Sequence, residues 1–480
     1  MTGVVMPTLY PDANADTATL RRSHWMIDAE TTLATEPPLT EDIDIDIAVM
    51  GGGFVGLWTA IFAKQKSPSS RIAIFERDMC GGGASGRNGG MVMSWWSELE
   101  GLITLFGEAQ AYKLAKCSED AIQELQDFCT KHYIDAQFER GGWLWTATTE
   151  AHLGDWDDTL ATAKKSGMSP YQRLTPEQVA QMSGSDRHLG GVLDPTNATV
   201  QPALLVAGIK RVALEMGIEI YEKTPVTELT YDQPAKLTTP YATVVAKKVV
   251  IATNVWATAI PELNKYIMPV SSSLIVTESI PEKLALMGLR HGLGITDSYQ
   301  IISYYRSTLD GRLVYGDSFA SFSQGGKITD IFSQHEDGTD FATEDFLYTY
   351  PMLEDVEITD SWSGPVDYTN EHFPIFGHLQ DAPHIIYGVG WSGNGVSPSQ
   401  IGGKVLSSLT LELDDEWANS VLVGTVNRGL NRAFPPRPFR FIGGKLVRSA
   451  ILWREEFEFK NRKPPKWLEW ITRLGGDIGT

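Results

Sequence analysis

The apolar positions of residues 43–76 follow the pattern of a strand, a helix and a second strand. Residues 43–50 alternate at first and then become wholly apolar, which is typical of a strand entering a buried sheet. Residues 57–66 carry helix formers with regularly spaced apolar side chains, and residues 71–75 form a second apolar run that ends at Glu76. This order predicts a βαβ unit with two parallel strands.

Further elements are predicted along the rest of the chain. Helices are expected at 107–132, from Thr175 onward and at 202–217, and strands at 142–148, 218–221 and 247–253. Residues 263–364 contain many short alternating runs, which favours an antiparallel sheet over a parallel one. The chain is therefore predicted to have an α/β fold.

Composition limits the class of protein. The 480 residues include 42% hydrophobic and 21% charged residues, which excludes wholesale disorder and allows two or three domains. The net charge of −20 argues against nucleic acid as the main partner. Three cysteines make neither a disulfide framework nor a metal-binding pair, so no metal is expected. No targeting or spanning segment is recognised, and a cytoplasmic location is expected.

A glycine-rich turn joins the first predicted strand to the helix. In Gly51-x-Gly53-x-x-Gly56 the first glycine permits a tight turn, the second lets a pyrophosphate approach the backbone, and the third lets helix and strand pack closely. The helix N-terminus then offers unpaired N–H groups to the phosphates. Glu76 follows about 20 residues later, where a carboxylate accepts hydrogen bonds from a ribose. Both NAD and FAD fit this unit.

A second glycine-rich run, residues 81–90, distinguishes between FAD and NAD. A domain that binds only NAD has no need of a long small-residue segment directly after the ribose-binding strand. A flavin lies far from its adenosine, and backbone must run beside it. Arg87 and Asn88 inside the run and the apolar residues 91–93 after it argue against a flexible surface linker. The run therefore favours FAD.

These motifs resemble the D-amino acid oxidase/glycine oxidase/sarcosine oxidase family of FAD enzymes, and most closely its γ-glutamylputrescine oxidase-like branch. The resemblance extends over nearly the whole chain, through the motifs at 22–25, 51–56, 84–90, 194–202, 248–254, 362–364, 373–377 and 390–396. Trp391 departs from the tyrosine or phenylalanine common in the family, which leaves the identity of the substrate open.

The resemblance implies a discontinuous architecture, with a Rossmann-like FAD-binding domain and an interleaved antiparallel-sheet substrate domain. The implied limits are 43–135, 195–262 and 365–427 for the FAD-binding domain, and 136–194 and 263–364 for the substrate domain. The polar composition of residues 1–42 predicts a surface-lying N-terminal lead-in, and a change of composition marks residues 428–480 as a helical C-terminal segment. Residues 390–396 would return beside the flavin, with backbone N–H dipoles that stabilise negative charge on the reduced ring.

Candidate site residues follow from the motifs and the resemblance. The expected FAD-binding residues are Gly51, Gly53, Phe54, Val55, Gly56, Glu76, Arg77, Ser85, Arg87, Asn88, Gly89, Gly90, Val226, Thr253, Gly390, Trp391, Gly393, Asn394, Gly395 and Val396. Trp391, Tyr304 and Arg306 are the candidate catalytic residues, the last because a guanidinium pairs with a carboxylate in two hydrogen bonds. No cysteine lies in 362–368 and no histidine in 81–93, where family members attach FAD covalently, so non-covalent FAD is expected.

The resemblance implies oxidation of a C–N bond of an amine or amino acid by hydride transfer to flavin N5, with oxygen as the expected acceptor. The imine formed would hydrolyse to an aldehyde or keto acid. Two alternatives stay open. One is a flavin dehydrogenase that passes electrons to another acceptor at a membrane, and the other is a nicotinamide-dependent dehydrogenase. The oligomeric state is not predicted.

The composition changes after Asn427. Twelve basic and five acidic residues give residues 428–480 a charge of +7, which leaves −27 for residues 1–427. Apolar residues at helical spacing, with tryptophans at 453, 467 and 470 and Leu474 after them, predict basic amphipathic helices. Such a segment could rest peripherally on an anionic membrane. Docking onto the acidic body of the protein itself is the interpretation that we favour.

Overall fold

The computed structural model describes residues 3–5, 21–322, 328–436 and 438–473. Its strands are β1 Gly3–Val5, β2 Ile43–Met50, β3 Ile72–Phe75, β4 Met91–Val92, β5 Trp143–Ala147, β6 Gln172–Leu174, β7 Gly190–Asp194, β8 Ala198–Thr199, β9 Glu219–Tyr221, β10 Glu228–Thr230, β11 Ala235–Thr238, β12 Thr243–Ile251, β13 Met268–Thr277, β14 Gly294–Thr296, β15 Ser303–Ser307, β16 Leu313–Ser321, β17 Ile358–Tyr368, β18 Ile375–Leu379 and β19 Ala382–Val389. Its α-helices are α1 His24–Asp28, α2 Phe54–Lys66, α3 Leu99–Phe106, α4 Glu108–Lys131, α5 Asp157–Lys165, α6 Pro176–Ser183, α7 Pro202–Glu215, α8 Pro261–Asn264, α9 Pro281–Met287, α10 Glu336–Thr349, α11 Pro398–Thr410, α12 Phe439–Phe459 and α13 Lys466–Arg473. The predicted α/β fold is confirmed.

The first sheet has nine strands around a parallel centre. β2 pairs in parallel with β3 on one side and with β12 on the other, and β19 pairs in parallel with the C-terminal end of β12. Helix α2 returns the chain from β2 to β3 and packs against α7 and α11. The βαβ unit predicted from residues 43–76 is therefore confirmed. Because parallel strands end at the same edge, the loops after β2, β3 and β12 meet there.

The second sheet has eight strands in the order β17-β13-β16-β15-β14-β5-β7-β6. Its neighbours are antiparallel, as predicted, except that β14 runs parallel to β5. These two strands come from distant parts of the chain, so no hairpin imposes the antiparallel direction on them. The predicted domain limit between residues 364 and 365 falls inside β17, whose ladder with β13 continues to Tyr368. The other limits stay predictions.

The segment around Trp25 lies in the interior, so the prediction of a surface-lying lead-in is wrong there. Trp25 and Met26 of the short helix α1 are 2% and 3% exposed, and Ser23 caps the helix by accepting a hydrogen bond from the N–H of Met26. Burying one indole and one thioether outweighs the polar character of the surrounding residues. Residues 1–2 and 6–20 of the lead-in lie outside the described residues.

The basic C-terminal segment forms α12 and α13, which pack against the body of the protein. This agrees with the interpretation that we favoured from the sequence. Arg440 donates to the carbonyls of Asn264 and Ile267, and Glu458 accepts a hydrogen bond at 3.3 Å from His152. Leu474 and Asp477 lie outside the described residues. Among the helices that the structure describes, none is both long and apolar enough to cross a membrane.

Candidate functional site

A cavity of about 800 Å³ separates the C-terminal edge of the first sheet from one face of the second. Met50, Phe75 and Ala252, at or next to the ends of three parallel strands, line one side. Trp143 and Tyr304 of the second sheet line the other side. This position, outside the carboxyl ends of a parallel sheet, is where open α/β folds bind ligands.

The first glycine-rich turn brings backbone close to this cavity. Gly51 has a φ of +105°, and a Cβ atom there would lie 2.5 Å from the carbonyl oxygen of Ala252. A Cβ on Gly56 would lie 1.9 Å from the carbonyl oxygen of Gly51. Gly53 precedes α2, and the hydroxyl of Ser85 accepts a hydrogen bond at 2.9 Å from the N–H of Phe54 in the first turn. The N-terminus of α2 therefore faces the cavity with a polar group already beside it.

Glu76 closes the second strand of the unit and lies beside the same turn. Its carboxyl oxygens accept hydrogen bonds from the N–H of Gly52 at 2.8 Å and of Asp78 at 2.9 Å. Burial raises the pKa of Glu76 to about 7, although these two N–H groups act to lower it. Next to it, the guanidinium of Arg77 lies 4.8 Å from the ring centre of Trp256. A carboxyl and an aromatic wall thus occur where a ribose and an adenine are expected.

Polar side chains hold the second glycine-rich run in shape. The guanidinium of Arg87 donates to the carbonyls of Gly82 at 2.9 Å, Ser363 at 3.2 Å and Arg21 at 2.9 Å. The amide of Asn88 donates to Ser85 and accepts from the N–H of Gly90. Both side chains therefore act on backbone, which a flexible linker would not require.

Two tryptophans brace this run from behind. Nε1 of Trp25 donates to the carbonyl of Asn88 at 2.8 Å, and Nε1 of Trp362 donates to the carbonyl of Arg87 at 2.7 Å. The two indoles meet edge to face, with ring centres 6.0 Å apart. The lead-in and β17 together fix the backbone that borders the cavity.

Arg306 does not line the cavity. Its guanidinium lies over the ring of Trp25 at 4.8 Å and donates to the carbonyls of Gly89 at 2.8 Å and Val200 at 2.5 Å. Because these donors are directed at backbone, the placement argues against the expected role of gripping a substrate carboxylate, and Arg306 positions the Gly89–Gly90 turn instead. Tyr304 does line the cavity, with its hydroxyl 2.8 Å from that of Ser272.

Asp367 organises the turn at residues 390–396. It accepts hydrogen bonds from the N–H of Gly390 at 2.6 Å, the N–H of Trp391 at 3.0 Å and the side-chain amide of Asn254 at 2.7 Å. The N–H groups of Gly390 and Trp391 therefore point at this carboxylate, which differs from the expectation that the whole turn offers its N–H dipoles to the flavin. Burial raises the pKa of Asp367 to about 7.

The ring of Trp391 packs inward. It meets the ring of Phe376 edge to face at 5.9 Å and lies against Gly402 of α11, where a Cβ would approach it to 2.4 Å. Trp391 is 7% exposed and borders the cavity. Its catalytic role stays a prediction.

The cavity gathers most of the expected FAD-binding residues. Those that line it are Gly51, Gly53, Phe54, Val55, Glu76, Arg77, Ser85, Arg87, Asn88, Gly89, Val226, Thr253, Trp391, Gly393, Asn394, Gly395 and Val396. Gly56, Gly90 and Gly390 do not line it. These three act through the backbone: Gly56 by the close approach to Gly51, Gly90 through its N–H bond to the side chain of Asn88, and Gly390 through its N–H bond to Asp367.

The residues of this cavity fit FAD. Thr253 and Trp256 line the cavity, and Oγ1 of Thr253 and Nε1 of Trp256 have no hydrogen-bond partner among the described residues, so polar groups beside the cavity are left for a ligand to satisfy. The cavity runs from the α2 N-terminus to the turn at 390–396, so it offers backbone donors at one end and the aromatic side chains Tyr304 and Trp391 at the other.

A family model described as FAD dependent oxidoreductase matches residues 46–409, which include both glycine-rich runs and the turn at 390–396. The chain belongs to this family of FAD-dependent oxidoreductases. The match also contains the strands that form both walls of the cavity, so the family fold and the candidate site coincide.

Two curated relatives share this family. The chain is 28% identical to the probable oxidoreductase OrdL of Haemophilus influenzae over 79% of its own length and 86% of the relative. It is also 28% identical to the gamma-glutamylputrescine oxidoreductase of Escherichia coli over 79% of its length and 88% of that protein.

Solved structures agree on the fold. The crystal structure of glycine oxidase from Geobacillus kaustophilus superposes with a TM-score of 0.65 at 22% identity, covering 78% of this chain and 96% of that one. L-proline dehydrogenase from P. horikoshii superposes with a TM-score of 0.66 at 18% identity, covering 82% and 99%.

Several cavity residues were not among the candidates. Asp367 follows the Trp362–Gly364 motif by three residues, and Asn254 ends the motif at 248–254, so position next to a motif was the available signal. Glu98 and Trp143 lie on the other side of the cavity, outside every motif. Only the tertiary structure assigns them to the site.

Proposed function

We propose that the protein uses non-covalently bound FAD to oxidise a C–N bond of an amine or amino acid. The observation that carries this proposal is a single cavity in which a dinucleotide-type glycine turn, its acidic residue and an aromatic sheet face come together. The name of one relative, gamma-glutamylputrescine oxidoreductase, indicates an amine substrate, and the name of the glycine oxidases indicates an amino-acid substrate.

Each end of the cavity has its own task in this proposal. The N-terminus of α2 and Ser85 would hold the pyrophosphate, and Glu76 the ribose hydroxyls. Arg87, Asn88 and the bracing tryptophans would fix the backbone beside the flavin. FAD, when bound, supplies the acceptor for a hydride from the carbon next to the substrate nitrogen. The second-sheet face, with Tyr304 on it, would orient that carbon and exclude water.

The proposed reaction places few other requirements on the protein. The substrate nitrogen must be neutral so that its lone pair supports hydride loss, and the imine hydrolyses in water to an aldehyde or keto acid. We propose oxygen as the electron acceptor. We also propose a cytoplasmic location, which the three free cysteines support. The alternative is an electron acceptor in a membrane, which the basic amphipathic C-terminal segment could bring close to the enzyme.

The visible spectrum of the purified protein tests the proposal. We expect yellow protein whose FAD is released by denaturation, and loss of the flavin absorbance when a substrate amine is added without oxygen. Readmission of oxygen should restore the colour with formation of hydrogen peroxide. Protein that binds no FAD after supplementation, or that no member of an amine and amino-acid panel decolourises, would contradict it. Colour that returns only with an artificial acceptor would point to a dehydrogenase.

A second candidate function concerns the outer face of the C-terminal helices. Phe439, Ile442, Leu446 and Trp453 recur at helical spacing along α12 and are 51–66% exposed. Trp453 meets Trp467 of α13 at 6.1 Å, so the apolar surface continues across both helices.

Charge favours an anionic lipid surface as the partner of this face. Glu455 and Glu458 of α12 are turned inward and buried. The exposed basic residues around the stripe are Lys445, Lys460, Arg462, Lys463 and Lys466. We propose that the two helices dock the enzyme peripherally on anionic membranes.

Vesicle sedimentation tests the docking. The full protein should sediment with vesicles that contain phosphatidylglycerol and much less with pure phosphatidylcholine. Joint replacement of Trp453, Trp467 and Trp470 by serine should lower the bound fraction about tenfold, since three interfacial indoles are lost. Leu286→Ser, at an 88% exposed position of α9, is the control. Equal sedimentation of the triple variant would exclude this surface.

A further inference from the structure

Glu98 is an acidic residue of the cavity wall that no motif predicts. It directly precedes α3 and lines the cavity. Its carboxyl group has no hydrogen-bond or salt-bridge partner among the described residues, and burial raises its pKa to about 7. A partly desolvated carboxyl without a partner costs free energy in the free protein. A cationic ligand in the cavity would supply the missing partner.

None of the cationic side chains of the cavity acts on Glu98, whose pKa is shifted by burial alone. Among the described residues, Arg77, Arg87 and Lys223 line it. Arg77 stacks on Trp256, and Arg87 donates to three carbonyls of the second glycine-rich run and its neighbours. Lys223 follows β9 and is exposed, and its backbone N–H donates to the carbonyl of Asp78 beside the ribose end. None of them pairs with Glu98, and none at the second-sheet end is available for a substrate carboxylate.

The other two carboxyls at that end of the cavity differ from Glu98. Asp297 accepts hydrogen bonds from the N–H groups of Ser303 at 3.1 Å and Tyr299 at 3.2 Å. Asp155 lies close enough to His152 for the two charges to interact. Glu98 alone of the three has neither a donor nor a cation beside it.

The surroundings of Glu98 suit an alkylammonium group. Tyr171 is near enough for its pKa to respond to the charge of Glu98, and it packs with Met93 against a cluster that contains Trp143 and Trp145. The rings of these two tryptophans stack with centres 5.7 Å apart, and both residues line the cavity. Indole faces and a carboxylate together bind an ammonium group and the apolar carbons attached to it.

We infer that Glu98 binds the ammonium group of the substrate, and that the substrate is an alkylamine without a carboxylate on the carbon next to nitrogen. The bound ammonium group transfers its proton to the Glu98 carboxylate before hydride leaves the adjacent carbon, because hydride loss requires a neutral nitrogen. This inference rests on the proposed function and narrows it to one of the two substrate classes. An α-amino acid would bring its carboxylate to the end of the cavity that holds Glu98 and Asp297, whereas the cationic Lys223 lies at the ribose end. Repulsion of that carboxylate would then exclude amino acids, so Glu98 is a specificity-determining residue.

Two molecules that cannot be oxidised test the inference by binding alone. tert-Butylamine and 2-aminoisobutyric acid differ only by replacement of one methyl group by a carboxylate, and neither has a hydrogen on the carbon next to nitrogen. Calorimetric titration of the FAD-loaded protein should show tert-butylamine binding at least tenfold more tightly. Equal affinity, or tighter binding of the amino acid, would overturn the inference without any variant.

Glu98→Gln identifies the residue responsible. The substitution keeps shape and removes the charge, so we expect the affinity for tert-butylamine to fall at least tenfold while FAD content and unfolding temperature stay unchanged. Glu100→Gln, two residues further along at an exposed position of α3, should bind as the wild type does. Unchanged affinity in Glu98→Gln would refute the assignment.

These experiments distinguish a failure of the inference about Glu98 from a failure of the proposed function. Binding of tert-butylamine that depends on Glu98, in a protein whose FAD no amine reduces, would support the site and reject the oxidation. Reduction of FAD by amino acids but not by simple amines would support the oxidation and reject the site.

Discussion

Gly56→Ala is expected to give protein that binds no FAD. The added Cβ would lie 1.9 Å from the carbonyl oxygen of Gly51 and 3.3 Å from a methyl group of Val49. The first of these atoms is backbone in a tight turn, so no side-chain rotation relieves the overlap. The turn must move away from α2, and the N–H groups that would hold the pyrophosphate move with it. Such overpacking costs about 3 kcal/mol of folding free energy.

The control for Gly56→Ala is Gly443→Ala in α12. Both glycines lie inside helices, but a Cβ on Gly443 meets no atom within 4 Å. Alanine there should stabilise the helix by about 0.5–1 kcal/mol, because it restricts the unfolded chain and favours the helical state. FAD content after gel filtration and urea unfolding measure both effects. Full FAD occupancy in Gly56→Ala, with unfolding at the wild-type urea concentration, would contradict the expectation.

Local signals predicted the βαβ unit and its glycine-rich turn, where the nucleotide is proposed to bind. The turn at 51–56 and its acidic partner lie within one βαβ unit, so spacing along the chain determines their arrangement. The same holds for the helix predicted to begin at Thr175, whose capping box the structure forms. Elements shorter than about 30 residues carry their own geometry, and the sequence is sufficient to recognise them.

Contacts between distant segments escaped prediction. Trp25 braces the backbone at Asn88, and Arg306 donates to Gly89 although it was expected to face substrate. Arg306 shares a face of β15 with Tyr304, because side chains two residues apart on a strand point to the same side. This alternation does not reveal that the second glycine-rich run and helix α1 cover the guanidinium group. Which atom a long side chain reaches depends on segments hundreds of residues away.

The charge pattern of the C-terminal segment was recognised from sequence, but its orientation was not. Composition gave a basic amphipathic segment, and it offered both the protein body and a membrane as partners. In the structure the acidic residues Glu455 and Glu458 face inward, while Trp453 faces outward. One face of α12 therefore packs against the protein, and the opposite face is aromatic, basic and exposed. Helical periodicity alone does not show which face points inward.

Asp367→Ala is expected to loosen the turn at 390–396 and to weaken FAD binding. The substitution leaves the N–H groups of Gly390 and Trp391 and the amide of Asn254 without their acceptor. An unsatisfied buried donor costs about 1–3 kcal/mol, so the loss of stability should exceed that of an ordinary surface change several times over. Asp381→Ala, at the exposed turn between β18 and β19, is the control and should be neutral. Urea unfolding and FAD titration give the two readouts.

The pH dependence of Asp367→Asn tests whether the buried carboxyl takes up a proton. Burial raises the pKa of Asp367 to about 7, above the value of about 3.9 of an unfolded aspartate. Between these values the folded protein binds more protons than the unfolded chain. The contribution of this group is therefore fully present below about pH 4 and is lost as the pH rises to about 7. Asparagine does not titrate, so the stability of the wild type relative to Asp367→Asn should increase from pH 8 to pH 5, by at most about 1.4 kcal/mol per pH unit. Glu76, whose pKa is also raised to about 7, remains in both proteins and cancels in the comparison. Parallel stability curves for the two proteins would mean that Asp367 stays ionised throughout, held by its three donors.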